Sequence, residues 1–527
     1  MIREAKVVAF IDIGTNSVRT AVVRLNPNYS YSVLSRQKQV IRLGEGEFVD
    51  HRLIPAAIER CVIVCKRFME MGKAYGAEEF VVVATSATRE ATNQDQLLSR
   101  LRGEAGIEVR VIPGMEEARL TFLGVSSAYH IQDRLALFID IGGGSTEISV
   151  GNQKEYVYLD SMKLGAIRIS TLFIPEGETG PIYPEKYTQM KKSVRSETVR
   201  TVQRIRKLKI DLTVGTSGTV INLAEIAAKA FNGSAGSGEL TLSLPKLKKV
   251  IAMLCSLPLK ERRGVPGINP ERADIIIGGA AILETLMEEL GIQEIKVSQR
   301  DLLDGLLLDY LSQIEGFPSH QEMTVRERSV LQLGRSCGID EMHANTIVKL
   351  TMELFDTGKE EGLHGFGRKE KELLRNAAYL HDIGDFISFS NHQQHSYYII
   401  KNAELLGFDQ KEREIMANLA KFHRKKSLGK KSHELVHLDP KTQLLVVELS
   451  MFLRIAESLD RSHCGLVEHA RFIDADRDEA TLEVAANGDC QLELWGVESQ
   501  RKGFRKAFGR DLVLRFRQTT PMDRPTG

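Results

Sequence analysis

The sequence predicts an α/β protein with an internal duplication, followed by an all-α region and a small α/β C-terminal segment. Three observations carry this. Two stretches are near-copies of each other: Asp12-Ile13-Gly14-Thr15-Asn16-Ser17-Val18-Arg19 and Asp140-Ile141-Gly142-Gly143-Gly144-Ser145-Thr146-Glu147. Around each copy, short β-branched runs alternate with segments of helical periodicity, the signature of layered α/β structure. Beyond Gly316-Phe317-Pro318 the strand signals vanish, and alternation returns only after Val467. A chain of 527 residues exceeds what one core accommodates. These shifts place domains at residues 1–130, 131–315, 316–465 and 466–527.

The elements follow in order. Each near-copy lies between apolar runs: Val7 to Ile11 and Thr20 to Val23 in the first, Leu135 to Ile139 and Ile148 to Val150 in the second. A strand, an Asp, a small-residue turn and a second strand make a hairpin. The backbone amides of such a turn form an anion-binding concavity, and a carboxylate beside it can hold a divalent cation through oxygen. Leu53 to Gly72 has helical spacing; Glu79 to Ala84 and Ile107 to Ile112 read as strands, and Glu155 to Ile174 as further strand-like sequence. A basic helix carries Lys191, Lys192, Arg195, Arg200, Arg204, Arg206 and Lys207. Ile210 to Val214 then feeds a third small-residue turn, Gly215-Thr216-Ser217-Gly218-Thr219, whose amides and hydroxyls suit phosphate oxygens. Glu294 to Ser298 reads as the last strand of this half and Leu302 to Ile314 as its closing helix. In the C-terminal segment, alternation predicts strands at Ala470 to Ile473, Ala480 to Val484, Gln491 to Trp495 and Leu512 to Phe516.

Composition excludes several classes. A formal net charge of +1 gives no bulk attraction to nucleic acid or an anionic membrane. The charged N-terminus runs into a short strand without the apolar region of a signal peptide, and no run is long enough to span a bilayer. Six cysteines lack CxxC spacing, and Cys61 and Cys65 lie one helical turn apart, as buried thiols in a reducing cytoplasm would.

The first chemical constellation is Asp12, the small-residue turns, Asp140 and Glu147. The second is Gly114-Met115-Glu116-Glu117-Ala118-Arg119, where a strand gives way to a helix; a carboxylate there can activate water.

The stretches IDIGTNSVR, ATSATREA, PGMEEARL, IDIGGGSTE, VGTSGT and NPERADII, in this order and spacing, resemble the exopolyphosphatase / guanosine-pentaphosphate phosphohydrolase (Ppx/GppA) family. The motifs cover about residues 5 to 310. The resemblance implies duplicated actin-like ATPase (ribonuclease H-like) domains. It also implies Mg²⁺-dependent hydrolysis of a terminal phosphoanhydride, from inorganic polyphosphate or from guanosine pentaphosphate, by a homodimer. Carried over by motif, Glu117 is the general base, and Asp140 and Glu147 hold the metal directly or through water. Asp12 is the first phosphate-loop acid, and Asn16, Ser17, Arg19, Arg89, Gly143, Gly144, Ser145 and Ser217 line the phosphate site. The sequence departs from the family at Ile275-Ile276-Ile277 and through Val297 to Gly305, a difference that bears on substrate preference rather than on reaction type.

In the helical region His343, His381-Asp382, His395, His423 and Asp460 follow the order and spacing of the HD superfamily of metal-dependent phosphohydrolases. His392 precedes His395 by three residues and can share its helical face. Imidazole with carboxylate suits a transition metal such as Mn, Fe or Zn; a catalytic metal, a structural metal and a nucleotide-sensing site are all compatible with the set. Two basic stretches, Lys421, Arg424, Lys425, Lys426, Lys430, Lys431 and Arg501, Lys502, Arg505, Lys506, Arg510, are candidates for a polyanion track or a solvated face. The leading expectation is an exopolyphosphatase, with guanosine-pentaphosphate phosphohydrolase next. A sugar or acid kinase and a non-enzymatic sensor follow, the first disfavoured by Glu117 and the second by Glu117, Asp140 and Glu147 together.

Overall fold

The structure is a computed structural model that describes residues 4–129, 131, 133–152, 155–175, 177–231, 240–314, 323–403, 405–424, 435 and 438–519. It divides into two compact units, Met1–Val325 and Arg326–Gly527.

The first unit holds two sheets of similar plan. In one, β1 (Lys6–Ile13), β2 (Ser17–Leu25) and β3 (Tyr31–Val40) form an antiparallel meander, and β4 (Glu79–Ala84) and β5 (Arg110–Val111) continue from β1 in parallel, giving the order β3-β2-β1-β4-β5. In the other, β6 (Ala136–Ile141), β7 (Thr146–Gly151) and β8 (Tyr156–Met162) are the meander. Parallel β9 (Leu212–Thr216) and β11 (Glu294–Val297) extend it, with β10 (Thr241–Ser243) antiparallel at the edge. Near-continuous apolar runs are what strands covered on both faces require. Ile11, Ile13 and Val18 face the Pro55–Ala74 helix through Cys61, Cys65 and Phe68, while Val8, Phe10 and Val23 face the Leu302–Ser312 helix through Leu303, Leu306 and Leu307.

The Gly114–Ser126 helix packs on both sheets. Its Leu120 joins the core under the first, and Phe122 and Val125 meet Phe138 and Val214 of the second. It touches the Leu302–Ser312 helix backbone to backbone: a Cβ on Gly305 would lie 1.9 Å from the Leu120 carbonyl oxygen, and one on Gly124 would lie 2.3 Å from the Asp301 carbonyl oxygen. The closing helix of the predicted second domain therefore packs on the first sheet.

In the second unit one core runs from Val330 to Leu512. It joins helices Glu341–Glu360, Arg368–Tyr379, His392–Asn402, Gln410–Phe422 and Pro440–Leu459 to a sheet of order β12-β13-β14 (Val467–Ala475, Glu479–Ala486, Asp511–Gln518). Two strand expectations are corrected. Gln491 to Trp495 begins a helix, Gln491–Glu498, in which Val497 is buried and Leu492 and Trp495 stay exposed. The strand-like stretch from Glu155 ends at Met162, and Ala166–Phe173 is a helix that buries Ala166, Ile167 and Ile169. No helix among the described residues is long and apolar enough to cross a membrane. The six cysteines are free thiols, with Cys61 and Cys65 buried.

Candidate active site and a histidine–carboxylate cluster

The two near-copies are hairpins of equal register. Asp12 on β1 pairs with Arg19 on β2, and Asp140 on β6 pairs with Glu147 on β7. Their turns close identically: Gly14 N–H donates to the Ser17 carbonyl at 3.1 Å, and Gly142 N–H to the Ser145 carbonyl at 3.0 Å. The turns also meet each other. A Cβ on Gly143 would lie 3.0 Å from Thr15 Cβ, and one on Gly144 would lie 2.6 Å from Ser86 Oγ and 3.0 Å from Thr15 Oγ1. Only glycine admits this approach. The third turn joins them at Ser217, whose left-handed φ of 74° lets Oγ donate to the Ile141 carbonyl at 2.6 Å.

The structure gathers Glu117, Arg89 and the acids into one cleft. Glu117 lies in the first turn of the Gly114–Ser126 helix and is buried. Its Oε2 accepts from Arg89 Nη1 at 3.0 Å, and the same Nη1 donates to the Ile112 carbonyl at 2.8 Å. Glu147 Oε1 accepts from Ser161 Oγ at 2.8 Å. Burial above all pushes four acids up: Asp12 and Glu117 to about 7, Asp140 to about 6, and Glu147 well above the usual carboxylate range, with neighbouring carboxylates adding to each. Asp12 Oδ1 and both side-chain polar atoms of Asn16 are buried without a hydrogen-bond partner. Unpartnered oxygens beside crowded acids are a donor set for a hard, oxygen-seeking cation. Among the described residues no three of these acids gather tightly enough to cage one. Mg²⁺ suits such a place, because it keeps waters and takes one or two carboxylates plus phosphate oxygens.

Two cations that sequence reasoning missed complete the cleft. The Arg272 guanidinium lies against Gly218, where a Cβ would come within 2.3 Å of Cζ. Arg272 is buried, and burial and Arg19 push it down to about 10. Lys38 pairs in register with Arg19; desolvation, Arg19 and Arg272 push it down to about 8. The NPERADII stretch contained Arg272, and the β2–β3 register that brings Lys38 in had no sequence signal. Behind the turns, Arg168 Nε donates to the Gly144 carbonyl at 2.8 Å and Nη2 to Glu90 Oε1 at 2.8 Å. A cavity of about 450 Å³, lined by Arg19, Arg36, Lys38, Ser217, Gly218 and Asp301, opens beside these groups.

The second unit collects four imidazoles around two carboxylates. Each Nδ1 has an oxygen partner: His381 with the Ala378 carbonyl at 2.7 Å, His423 with Ala420 at 2.5 Å, His392 with Phe389 at 3.1 Å, and His343 with Asp460 Oδ2 at 2.8 Å. In the neutral tautomer this assigns, every Nε2 carries a lone pair. These lone pairs face other acceptors. His381 Nε2 lies 3.3 Å from Asp382 Oδ2 and 3.2 Å from Glu457 Oε2, and His343 Nε2 lies 3.4 Å from Glu457 Oε2. His392 and His423 Nε2 lie 3.2 and 3.3 Å from Asp382 Oδ1, and 3.2 Å from each other. Such an arrangement needs a cation at its centre, either a metal or protons on the rings. Without a metal, the nearby carboxylates overcome burial and push His343 up to about 9, while the imidazoles hold Asp382 far below the usual range. The tethers on Nδ1, three backbone carbonyls and one carboxylate, fix the orientation of the four rings and leave Nε2 turned inward.

The ligand groups divide in two, His343–His381–Asp382–Glu457 and Asp382–His392–His423, sharing Asp382. This grouping differs from the predicted set at three positions. His395 is absent from both groups; His392, the buried first residue of the His392–Asn402 helix, sends Nε2 into the cluster instead. Asp460 sits behind His343 as its orienting partner rather than among the grouped ligands. Glu457 joins the first group, and its place one turn before Asp460 on the Pro440–Leu459 helix was a usable signal. Of the basic stretches, Arg424 pairs with Glu457, Arg501 with Glu498 and Arg505 with Asp511, and Lys421 is buried against Tyr397. Lys425, Lys426, Lys430 and Lys431 lie outside the described residues.

With fold and cleft in place, comparison assigns the class. The sequence profile of the Ppx/GppA phosphatase family matches residues 21–314, and that of the family's domain III matches residues 325–500. The chain belongs to the Ppx/GppA phosphatase family and is a phosphatase enzyme. Among solved structures, an exopolyphosphatase from Cytophaga hutchinsonii ATCC 33406 is 26% identical with a TM-score of 0.55, covering 59% of this chain and 99% of its own. An exopolyphosphatase-like protein is 27% identical with a TM-score of 0.53, covering 58% and 98%.

Proposed function

We propose that the first unit is a Mg²⁺-dependent exopolyphosphatase that hydrolyses the terminal phosphoanhydride of inorganic polyphosphate and releases orthophosphate. The names of the two structural relatives favour polyphosphate. One observation carries the reaction type: a buried carboxylate, Glu117, with a pKa near 7 beside an arginine and among phosphate-binding turns. Glu117 takes a proton from the attacking water. Arg19, Arg89 and the turn amides of Gly143 and Gly144 orient and neutralise the phosphate oxygens, with Asn16, Ser17, Ser145 and Ser217 around them. Catalysis of phosphoryl transfer is largely such positioning and charge neutralisation. Asp140 and Glu147, with Asp12 near by, are the residues that would hold Mg²⁺, which when bound supplies charge stabilisation to the transferred and leaving oxygens.

Guanosine pentaphosphate, cleaved at its 5′ end, is the alternative substrate. Orthophosphate release from long-chain polyphosphate and from guanosine pentaphosphate, each with and without Mg²⁺, tests the reading. Faster release from polyphosphate supports it, faster release from the nucleotide selects the alternative, and no release from either overturns both. A homodimer in the cytoplasm belongs to the same reading.

The four Nε2 lone pairs facing Asp382 and Glu457 favour a second reading for the second unit, a transition-metal centre. Asp382 would bridge two ions, its Oδ2 turned to His381 and its Oδ1 to His392 and His423. Carboxylate and imidazole with open positions suit Mn²⁺, Fe²⁺ or Zn²⁺. Such a centre would act as a second phosphohydrolase site or as a nucleotide sensor.

A further inference from the structure

Arg19 of the phosphate cleft is already held by a carboxylate. Its Nη1 donates to Asp301 Oδ2 at 2.6 Å, with both side chains about one-fifth exposed. This is the only hydrogen bond of the guanidinium among the described residues, so Nε and Nη2 remain for another acceptor. Desolvation works against the charge of Arg19, yet Asp301, Asp12 and Asp140 together keep its pKa above the ordinary value.

Asp301 is itself fixed from three sides. As N-cap of the Leu302–Ser312 helix, its Oδ1 accepts from Leu303 N–H at 3.0 Å, and its own N–H donates to Asp304 Oδ2 at 3.0 Å. Asp304 is buried and holds both Arg300, at 2.7 Å, and Arg36. The Asp301 carbonyl lies against Gly124 of the helix that carries Glu117. Thr216, next to Ser217 of the third turn, donates through Oγ1 to the Arg300 carbonyl at 2.5 Å. Asp301 thus sits where the Arg19 hairpin, the Glu117 helix and the Ser217 turn converge.

We infer that Asp301 is a positioning and affinity-setting residue: it clamps one edge of the Arg19 guanidinium, presents the remaining N–H groups to substrate phosphate, and opposes overly tight anion binding by sharing that guanidinium. The inference rests on the hydrolase reading of the cleft. A planar guanidinium with one donor anchored keeps a fixed fork for phosphate. A neighbouring negative charge weakens ground-state binding of any polyanion, whereas a fixed fork serves the transition state, so the two effects separate in kinetics.

Asp301→Asn keeps the shape and the helix cap, since asparagine caps as well as aspartate; with its single oxygen on Leu303 N–H it loses the charge and the oxygen that accepts from Arg19, so the clamp is released. Asp301→Ala removes the clamp and the cap. Expected for Asp301→Asn is a KM for polyphosphate lower by about threefold or more, a kcat lower by about tenfold, and a steeper salt dependence of KM, because the site then attracts the polyanion with more net positive charge, with Tm close to wild type. Calorimetric binding of inorganic tripolyphosphate, with Mg²⁺ withheld so that none is hydrolysed, should tighten by a factor similar to the fall in KM. Asp301→Ala should show the same split with a lower Tm. Unchanged kcat, KM and tripolyphosphate affinity in Asp301→Asn would overturn the inference. So would activity loss in both variants that only follows the loss of Tm. The tripolyphosphate measurement needs no turnover, so a wild-type protein that hydrolyses neither substrate sinks the hydrolase reading while the clamp is still judged by binding.

Discussion

Glu117 accepts a 3.0 Å hydrogen bond from Arg89 and still has its pKa pushed up to about 7. Burial is the largest cause, and Asp12 and Asp140 add repulsion; the guanidinium pulls the other way and loses. A carboxylate poised near neutral pH beside an arginine has the proton affinity a general base needs. A pair that Arg89 dominated would leave a weak base.

Glu117→Gln keeps an oxygen for Arg89 and removes the proton acceptor. Expected is a kcat lower by ~10²–10⁴-fold with little change in KM. The sign of the pH effect is fixed, because the base works deprotonated. In wild type kcat/KM rises with pH through about 7, and in Glu117→Gln that limb is shallower, keeping only what Asp12 and Asp140 contribute. Steady-state phosphate release between about pH 5.5 and about pH 9 measures both.

The same acids make the metal-free first unit sensitive to alkali. Asp12, Glu117 and Asp140 have folded-state pKa values raised above their ordinary ones, so the folded state binds more protons than the unfolded state between the two values. Stability is therefore greatest below the unfolded pKa and falls as pH rises through about 6 to 7. A divalent cation that binds these carboxylates reverses the trend by mass action. The only tryptophan, Trp495, lies in the second unit and does not report on this. Hydrogen exchange of the β1–β2 and β6–β7 segments should be faster at about pH 8 than at about pH 5.5 once corrected for intrinsic rates, and Mg²⁺ should slow it at the higher pH. Equal corrected protection at both pH values contradicts the account.

Much of this cleft was legible because its turns are local. An Asp at a strand end, a run of Gly, Ser and Thr and a second apolar strand are specified by adjacent residues, and the duplication displayed them twice. Lys38 and Arg272 were not legible as cleft residues, because a register and a distant loop bring them to Arg19. The choice between His392 and His395 turned on where one helix begins, and the left-handed Asn391 that sets it has no strong sequence mark. Gln491 to Trp495 misled because five residues fit either period. The packing of Leu302–Ser312 on the first sheet is tertiary, and its only trace in the sequence was glycine at 124 and 305.

Those glycines make a separate prediction. A methyl at 305 would lie 1.9 Å from the Leu120 carbonyl oxygen, and backbone cannot swing aside as a side chain can. Gly305→Ala should therefore part the two helices at a cost of ~1–3 kcal/mol or more. The helix displaced carries Glu117, so kcat should fall further than the loss of folded protein accounts for. Activity per folded molecule, with the folded fraction taken from hydrogen exchange of the first unit, checks this; wild-type activity per folded molecule refutes it.

The histidine cluster yields the sharpest contrast between neighbouring residues. His392 Nε2 lies 3.2 Å from Asp382 Oδ1, while His395 joins neither ligand group. If Asp382 bridges two ions, Mn²⁺-reconstituted protein should retain about two per chain after desalting, as two carboxylate–imidazole ligand groups imply. His392→Ala should retain about one, having lost part of the two-histidine side of Asp382 while the His343–His381–Glu457 side persists. His395→Ala should match wild type. His381→Ala should weaken the other side, and exchange coupling between Mn²⁺ ions, visible by electron paramagnetic resonance, should disappear in both cluster variants and survive in His395→Ala. Chelation should leave Nε2 lone pairs confronting carboxylate oxygens, and the rings then take up protons, so metal release is accompanied by proton uptake near neutral pH. Metal content well below one per chain in wild type rules the centre out, and equal loss in His392→Ala and His395→Ala rules out the assignment of His392.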